Sequence, residues 1–319
     1  EALRDPGPLA YAAVVQRVEA WRARAARATL RGVVFGDSVF VKRDGVGFAP
    51  ALTDALAVRG RRVDLADLSY VGLGAFQFYY AAERVLAGEP RVAVVEVNLR
   101  TFAPDWWQTQ GLRYPQLSAG LSLRRALGVS EALATQGLSP LAPLVYRMEE
   151  VTGTLLLFDG VRRMGGRLLD AVGTRVNDAL GLPARSTQDQ VQATLRKNLV
   201  LDAARARTWY GESFVESPAA AMLRALASDL RTAGVATVFV VAPINVDGAR
   251  AHGVRLDDLD VRIDRLRDHV RARPDEWLET SDRFHAADFR DAVHLKPAAV
   301  ERLATLAAER LASQPDSGR

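Results

Sequence analysis

Gly32-Val-Val-Phe-Gly-Asp-Ser-Val-Phe40 is the stretch on which the fold of this chain turns. A strand-sized apolar run, Gly32–Phe35, continues in Val39–Phe40 after an interruption by Gly36-Asp37-Ser38. Working outward, helical spacing resumes at Pro50–Val58, and Arg62–Leu65 is a second short strand. Phe76–Leu86 again has helical spacing, and Arg91–Val97, dense in valine, reads as a buried strand. Strand, helix and strand in alternation predict βαβ units and a doubly wound parallel sheet.

Upstream, residues 10–30 are rich in Ala and Arg, carry helical spacing and contain no breaker, so they predict an amphipathic helix leading into the domain. Downstream the rhythm stops. Residues 103–200 hold Trp106, Trp107, several Pro and Gly breaks and helical segments such as Leu141–Leu157 and Arg162–Leu180, with no strong strand. The rhythm returns with a helix at Pro218–Ala233, a strand at Val235–Val241, a helix at Asp257–Ala272 and a short strand near Trp277–Thr280. A terminal helix, Pro297–Leu311, precedes a polar tail, Ala312–Arg319, that is expected to fray. The predicted organisation is a helical lead-in (1–30), one α/β domain (31–102 and 201–311), a helical insertion or lid (103–200) and a tail (312–319).

Composition narrows the chemistry. Of 319 residues, 49% are hydrophobic and 25% charged, the balance of a globular chain. The formal charge is +4, with Lys only at Lys42, Lys197 and Lys296 and with Arg scattered among Asp and Glu, so no basic stripe for nucleic acid is expected. Cysteine is absent, which excludes disulfides, thiolate catalysis and Cys-based zinc sites. No His/Asp/Glu cluster has metal-ligand spacing and no glycine-rich phosphate loop occurs, so neither metal nor cofactor is expected. No apolar run reaches the ~18 residues that span a bilayer. Glu1 in place of Met suggests a trimmed or processed chain, from which a signal peptide or anchor could have been removed.

Four features fall at the ends of successive predicted strands. Ser38 sits on a turn after the first strand, where open α/β sheets bind ligands and where a hydroxyl can meet a proton acceptor. The plainer alternative is a turn that caps a helix. Gly74, in Ser69-Tyr-Val-Gly-Leu-Gly74, follows the second strand, and its backbone N–H could approach a substrate oxygen; Gly72 is the alternative. Asn98 ends the third strand and could supply a side-chain donor. Asp291 and His294, three apart in Phe289-Arg-Asp-Ala-Val-His-Leu295, enter the terminal helix, a spacing that lets a carboxylate reach Nδ1 while Nε2 faces outward. Asp282 and His285 have the same spacing and form the backup pair.

Gly-Asp-Ser, then Gly, then Asn, then Asp-x-x-His resembles the four blocks of the SGNH (GDSL-type) hydrolase superfamily. The resemblance covers roughly 30–100 and 235–311 and implies a flavodoxin-like three-layer α/β/α sheet. It implies Ser38, Asp291 and His294 as a catalytic triad, with the Ser38 and Gly74 N–H groups and Asn98 as the oxyanion hole. Two blocks depart from the commonest pattern: Ser69 stands where many members have Asn, and Glu96-Val-Asn-Leu-Arg100 replaces Gly-x-Asn-Asp. Together with Val-Phe-Val-Val-Ala-Pro-Ile-Asn245 and Asp-Ala-Val-His-Leu295, the second departure is similar to the branch containing alginate O-acetylation proteins and the D-alanyl transfer protein of teichoic acid synthesis. That branch implies an exported or membrane-anchored, extracytoplasmic protein working beside a membrane-bound O-acyltransferase.

The expectation is therefore serine-dependent acyl transfer, foremost O-acetylation of an extracytoplasmic polysaccharide or glycopolymer, from an acyl ester donor to a glycan acceptor. A carbohydrate or lipid esterase would use the same triad, and a non-catalytic scaffold on the same fold is the alternative from another class. Trp106 and Trp107 could stack on sugar rings or pack under the insertion, Arg100 could hold an anionic polymer group or be solvated, and Asn245 could contact substrate or hold its loop.

Overall fold

The fold was analysed in a computed structural model that describes residues 16–24, 30–41, 45–103, 106, 123–134, 209–210, 214–251, 253–254, 256–291 and 293–314. Five strands, β1 (Leu30–Phe35), β2 (Val63–Asp67), β3 (Val92–Val97), β4 (Ala236–Val241) and β5 (Trp277–Leu278), pair in the order β2-β1-β3-β4-β5. Every pairing is parallel. This is the strand order of doubly wound sheets whose switch point lies between the first and third strands, since the chain moves to opposite sides of β1 in turn.

Alternation within the strands shows why both faces are covered. Val33 and Phe35 of β1, Ala93, Val95 and Val97 of β3, and Phe239 and Val241 of β4 join one core. Into it pack α1 (16–23), α3 (Ala75–Leu86), α4 (Leu123–Ala134), α5 (Pro218–Thr232) and α7 (Leu259–Val270). Val34, Val92, Val94, Val238 and Val240 point the other way, into a second core made with α2 (Phe48–Val58) and α8 (Pro297–Ser313). A strand buried on both faces needs a largely apolar run, which β3 provides but for Glu96 and β4 but for Thr237. A short helix, α6 (Val246–Ala251), follows β4 and was not expected from the sequence.

The predicted lead-in helix is seen as α1: Val18 and Trp21 enter the first core, and Trp21 Nε1 donates to the Asp64 carbonyl at 3.0 Å. After β1, Asp37 Oδ1 accepts the Val39 N–H at 2.8 Å and turns the chain out of the sheet; Phe40 then stacks on Phe48 at 3.8 Å. One expectation is corrected. The tail does not fray at Ala312: α8 runs to Ser313, and Gln314 is buried with Nε2 donating to the Thr237 carbonyl at 2.8 Å and the Asp275 carbonyl at 3.1 Å. Within 103–200, α4 is helical as expected, while Leu141–Leu157, Arg162–Leu180 and Trp107 lie outside the described residues. Among the described residues no helix is long and apolar enough to cross a membrane.

Candidate active site

Parallel pairing of Val34 with Val94 and Phe35 with Val95 brings the carboxyl ends of β1 and β3 side by side at the switch point. Gly36-Asp37-Ser38 leaves one strand there and Asn98 leaves the other. Gly36 is held to glycine by close approach, because a Cβ on it would lie 2.6 Å from Ser69 Oγ and 2.7 Å from Phe40 Cβ. The Asp37 carbonyl accepts from Phe40 N at 3.2 Å, closing a tight turn on which neither bond uses the Ser38 N–H.

The histidine arrives from the far end of the chain. An antiparallel bridge between Phe289 and Leu295, with Arg290 N donating to the His294 carbonyl at 2.9 Å, closes a loop just before Pro297 starts α8. Asp291 Oδ1 accepts the backbone N–H groups of Val293 and His294 at 3.0 and 2.9 Å, which fixes the carboxylate. His294 Nδ1 lies 2.8 Å from both Asp291 oxygens, and Nε2 lies 3.0 Å from Ser38 Oγ. A carboxylate only accepts, so Nδ1 carries the ring proton and Nε2 accepts from the serine. Burial would push the Asp291 carboxyl up, but the His294 side chain and the two backbone N–H groups outweigh it and bring its pKa down to about 2. Ser38, Asp291 and His294 are thus brought together as the sequence predicted. The backup pair is not: His285 and Asp282 are exposed, the His285 ring lies 4.0 Å from the Asp247 carboxylate, and the His285 backbone N–H donates to Asp288 at 2.9 Å.

Around Ser38 lies a buried polar network that sequence reasoning had missed in part. Asp37 is 1% exposed, and its Oδ2 accepts from Asn98 Nδ2 and from Arg100 Nη2, both at 2.8 Å. The same Nη2 donates to Ser38 Oγ at 3.0 Å. Behind them, Glu96 Oε2 accepts the Asp37 N–H at 2.6 Å. Burial pushes the Glu96 carboxyl well above the carboxylate range, and the negative charge of Asp37 pushes it further. Burial acts on Asp37 in the same direction, but the Arg100 guanidinium, Glu96 and the Val39 N–H hold that carboxyl below its ordinary value. The two carboxyls are thus driven in opposite directions, Glu96 towards its protonated form and Asp37 towards its ionised form. A glutamate inside Val92-Ala-Val-Val-Glu-Val97 was the available signal, since a carboxyl in a strand buried on both faces needs a polar partner.

The remaining candidates find varied places. Arg100 is neither solvated nor open to a polymer but 3% exposed, with its guanidinium 4.5 Å above the Trp106 ring, and Trp106 is buried in turn. Trp106 therefore supports Arg100 and offers no open face to a sugar. Asn245 Oδ1 accepts the Gly248 N–H at 2.8 Å and caps α6, holding its loop. The Gly74 N–H donates to Gln77 Oε1 at 3.0 Å as α3 begins. Asn98 spends one amide hydrogen on Asp37, while its Oδ1 accepts from Arg100 N at 3.3 Å. Beside Ser38 and His294 a small recess is lined by Val39, Val41, Val46, Leu295, Pro297 and Val300. Among the described residues no group of His, Asp and Glu could hold a metal ion. Compared with known proteins, the chain matches no family model and no curated protein.

Proposed function

We propose that this protein is a serine-dependent acyltransferase of the SGNH kind, moving a short acyl group, foremost acetyl, from an ester donor to a hydroxyl of an extracytoplasmic polysaccharide or glycopolymer. The observation that carries the proposal is the line Asp291–His294–Ser38, at 2.8 and 3.0 Å, at the switch point of the parallel sheet. His294 Nε2 takes the Ser38 proton as the Oγ electron pair bonds to the ester carbonyl carbon and the carbonyl π pair moves onto its oxygen. The Ser38 N–H and the second amide hydrogen of Asn98 are the donors for that oxyanion, and Gly74 joins them when its bond to Gln77 opens. When the oxyanion collapses, the ester C–O bond breaks and His294 protonates the departing alkoxide. An acceptor hydroxyl then gives its proton to His294 as its oxygen bonds to the acyl carbon, and when the C–Oγ bond breaks His294 returns that proton to Ser38 Oγ.

The recess beside the nucleophile is small, which favours a short acyl chain over an extended one. Export and a membrane-bound partner belong to the proposal through the resemblance to the glycopolymer-modifying branch. The test is turnover of p-nitrophenyl acetate by wild type, Ser38→Ala and His294→Ala, with and without an oligosaccharide acceptor, followed by mass spectrometry of the glycan. Acetyl mass on the glycan from wild type alone is the expected result. Acetate release without glycan labelling marks an esterase. Equal behaviour of all three proteins in every channel overturns acyl transfer and leaves a scaffold.

A further inference from the structure

A serine hydroxyl has one proton and two lone pairs, and in this site the proton and one lone pair are already committed. The proton points to His294 Nε2 at 3.0 Å, and one lone pair receives an N–H of Arg100 Nη2, also at 3.0 Å. Only the second lone pair remains for attack. The guanidinium is held on two sides and the Arg100 backbone on a third. Asp37 Oδ2 accepts its other Nη2 hydrogen at 2.8 Å, Trp106 lies under its face at 4.5 Å, and Asn98 Oδ1 holds the Arg100 backbone N–H at 3.3 Å. Asp37 is itself fixed by Asn98 Nδ2, by Glu96 behind its N–H and by the turn to Val39.

We propose that Arg100 is a catalytic residue, a fixed cation whose N–H orients the Ser38 hydroxyl and stabilises the negative charge that passes through Oγ during acyl transfer. The proposal rests on Ser38 being the nucleophile. As the proton leaves for His294, charge builds on Oγ 3.0 Å from the guanidinium, in a buried setting where a charge-assisted hydrogen bond is at its strongest. The new C–O bond then passes that charge to a carbonyl oxygen only two bonds from Oγ, within the field of the same cation. When the acyl group leaves for its acceptor, the electron pair returns to Oγ, and Arg100 stabilises it a second time. Asp37 and Trp106 are positioning residues for Arg100. Within this cluster the Arg100 cation is set against Asp37, while the Asp291 carboxylate is set against the imidazolium that His294 becomes as it takes the proton.

A buried Asp37–Arg100 ion pair of purely structural purpose would show the same first contact, so the experiment must separate stability from reactivity. Arg100→Lys, Arg100→Gln and the paired Asp37→Asn/Arg100→Gln are prepared in the full chain beside Ser38→Ala. The paired variant removes both charges together, so that no orphan carboxylate unfolds the protein. Thermal melting gives stability, mass spectrometry gives the rate at which a p-nitrophenyl phosphonate ester labels Ser38, and p-nitrophenyl acetate gives kcat and KM separately. The paired variant is expected to stay folded, to label about 10²–10³ times more slowly and to lose kcat with KM little changed, the loss typical of one charge-stabilising donor. Arg100→Lys is expected to recover at least about tenfold of that loss, because the cation returns without the planar fork. A folded paired variant that labels at the wild-type rate overturns the proposal, as does a folded Lys variant no faster than the paired one. If wild type labels no faster than Ser38→Ala, Ser38 is not the nucleophile, and the acyl-transfer reading itself is what has failed.

Discussion

Replacing Asp291 by Asn tests the triad through a consequence of its local hydrogen bonding. Oδ1 of Asp291 accepts two backbone N–H groups, from Val293 at 3.0 Å and His294 at 2.9 Å. In the Asn variant only the amide oxygen can occupy that position, so the NH2 group must take the place of Oδ2, which lies 2.8 Å from His294 Nδ1. That N–H competes at Nδ1 with the amide oxygen in the Oδ1 position, also 2.8 Å away; where it prevails, the ring proton moves to Nε2, which then faces Ser38 Oγ as a donor that cannot accept the serine proton. The expected loss in kcat/KM for p-nitrophenyl acetate is about 10⁴-fold, or about 5.4 kcal/mol of transition-state stabilisation. Asp291→Ala removes the orienting carboxylate without imposing the wrong tautomer, so it should retain more activity than Asn. Both variants should fold, and both should be measured with Ser38→Ala as the floor. An Asn variant within tenfold of wild type, or an Ala variant slower than Asn, would refute the tautomer argument.

Two further outcomes follow from the buried network. Glu96 keeps its proton in the folded state at pH values where the unfolded chain has released it. Its raised pKa therefore contributes stability that is complete below about pH 4.3 and drains away as pH rises through the folded value, at up to about 1.36 kcal/mol per pH unit. Glu96→Gln cannot release a proton, so its melting temperature should gain on wild type steadily from pH 5 to pH 8; a gap that stays constant across that range contradicts a neutral Glu96. Gly36→Ala should cost about 1–3 kcal/mol in urea unfolding, because the new Cβ would meet Ser69 Oγ at 2.6 Å and the packed Phe40 side chain at 2.7 Å. An unchanged unfolding midpoint there would mean that the β1 turn is looser than its geometry.

Much of the scaffold was legible because it is encoded locally. Valine runs marked β3 and β4, three- and four-residue spacing marked α3, α5 and α8, and Pro297 announced the start of α8. The error fell where a side chain overrides local pattern: polar Gln314 looked like a loose end until its side chain reached two backbone carbonyls. The candidate site residues were half legible for the same reason. A Ser on a turn after a strand and an Asp-x-x-His before a terminal helix are local patterns, whereas the environment of Arg100 is assembled from β1, β3 and a residue beyond β3.

By itself the sequence determined where the strands and most of the described helices lie, and it left two Asp-x-x-His pairs, Asp291/His294 and Asp282/His285, as candidates to face Ser38. Only the tertiary structure decided that Ser38 and His294, 256 residues apart, stand 3.0 Å from one another. It also decided that Arg100 is turned inward onto Asp37 and Ser38, that Trp106 lies beneath it and that Glu96 is driven towards its protonated form. The physical reason is the pairing of β1 with β3. Periodicity specifies a strand but not its neighbour, and the neighbour sets which charges share a buried site, where each one must find its partner or give up its charge.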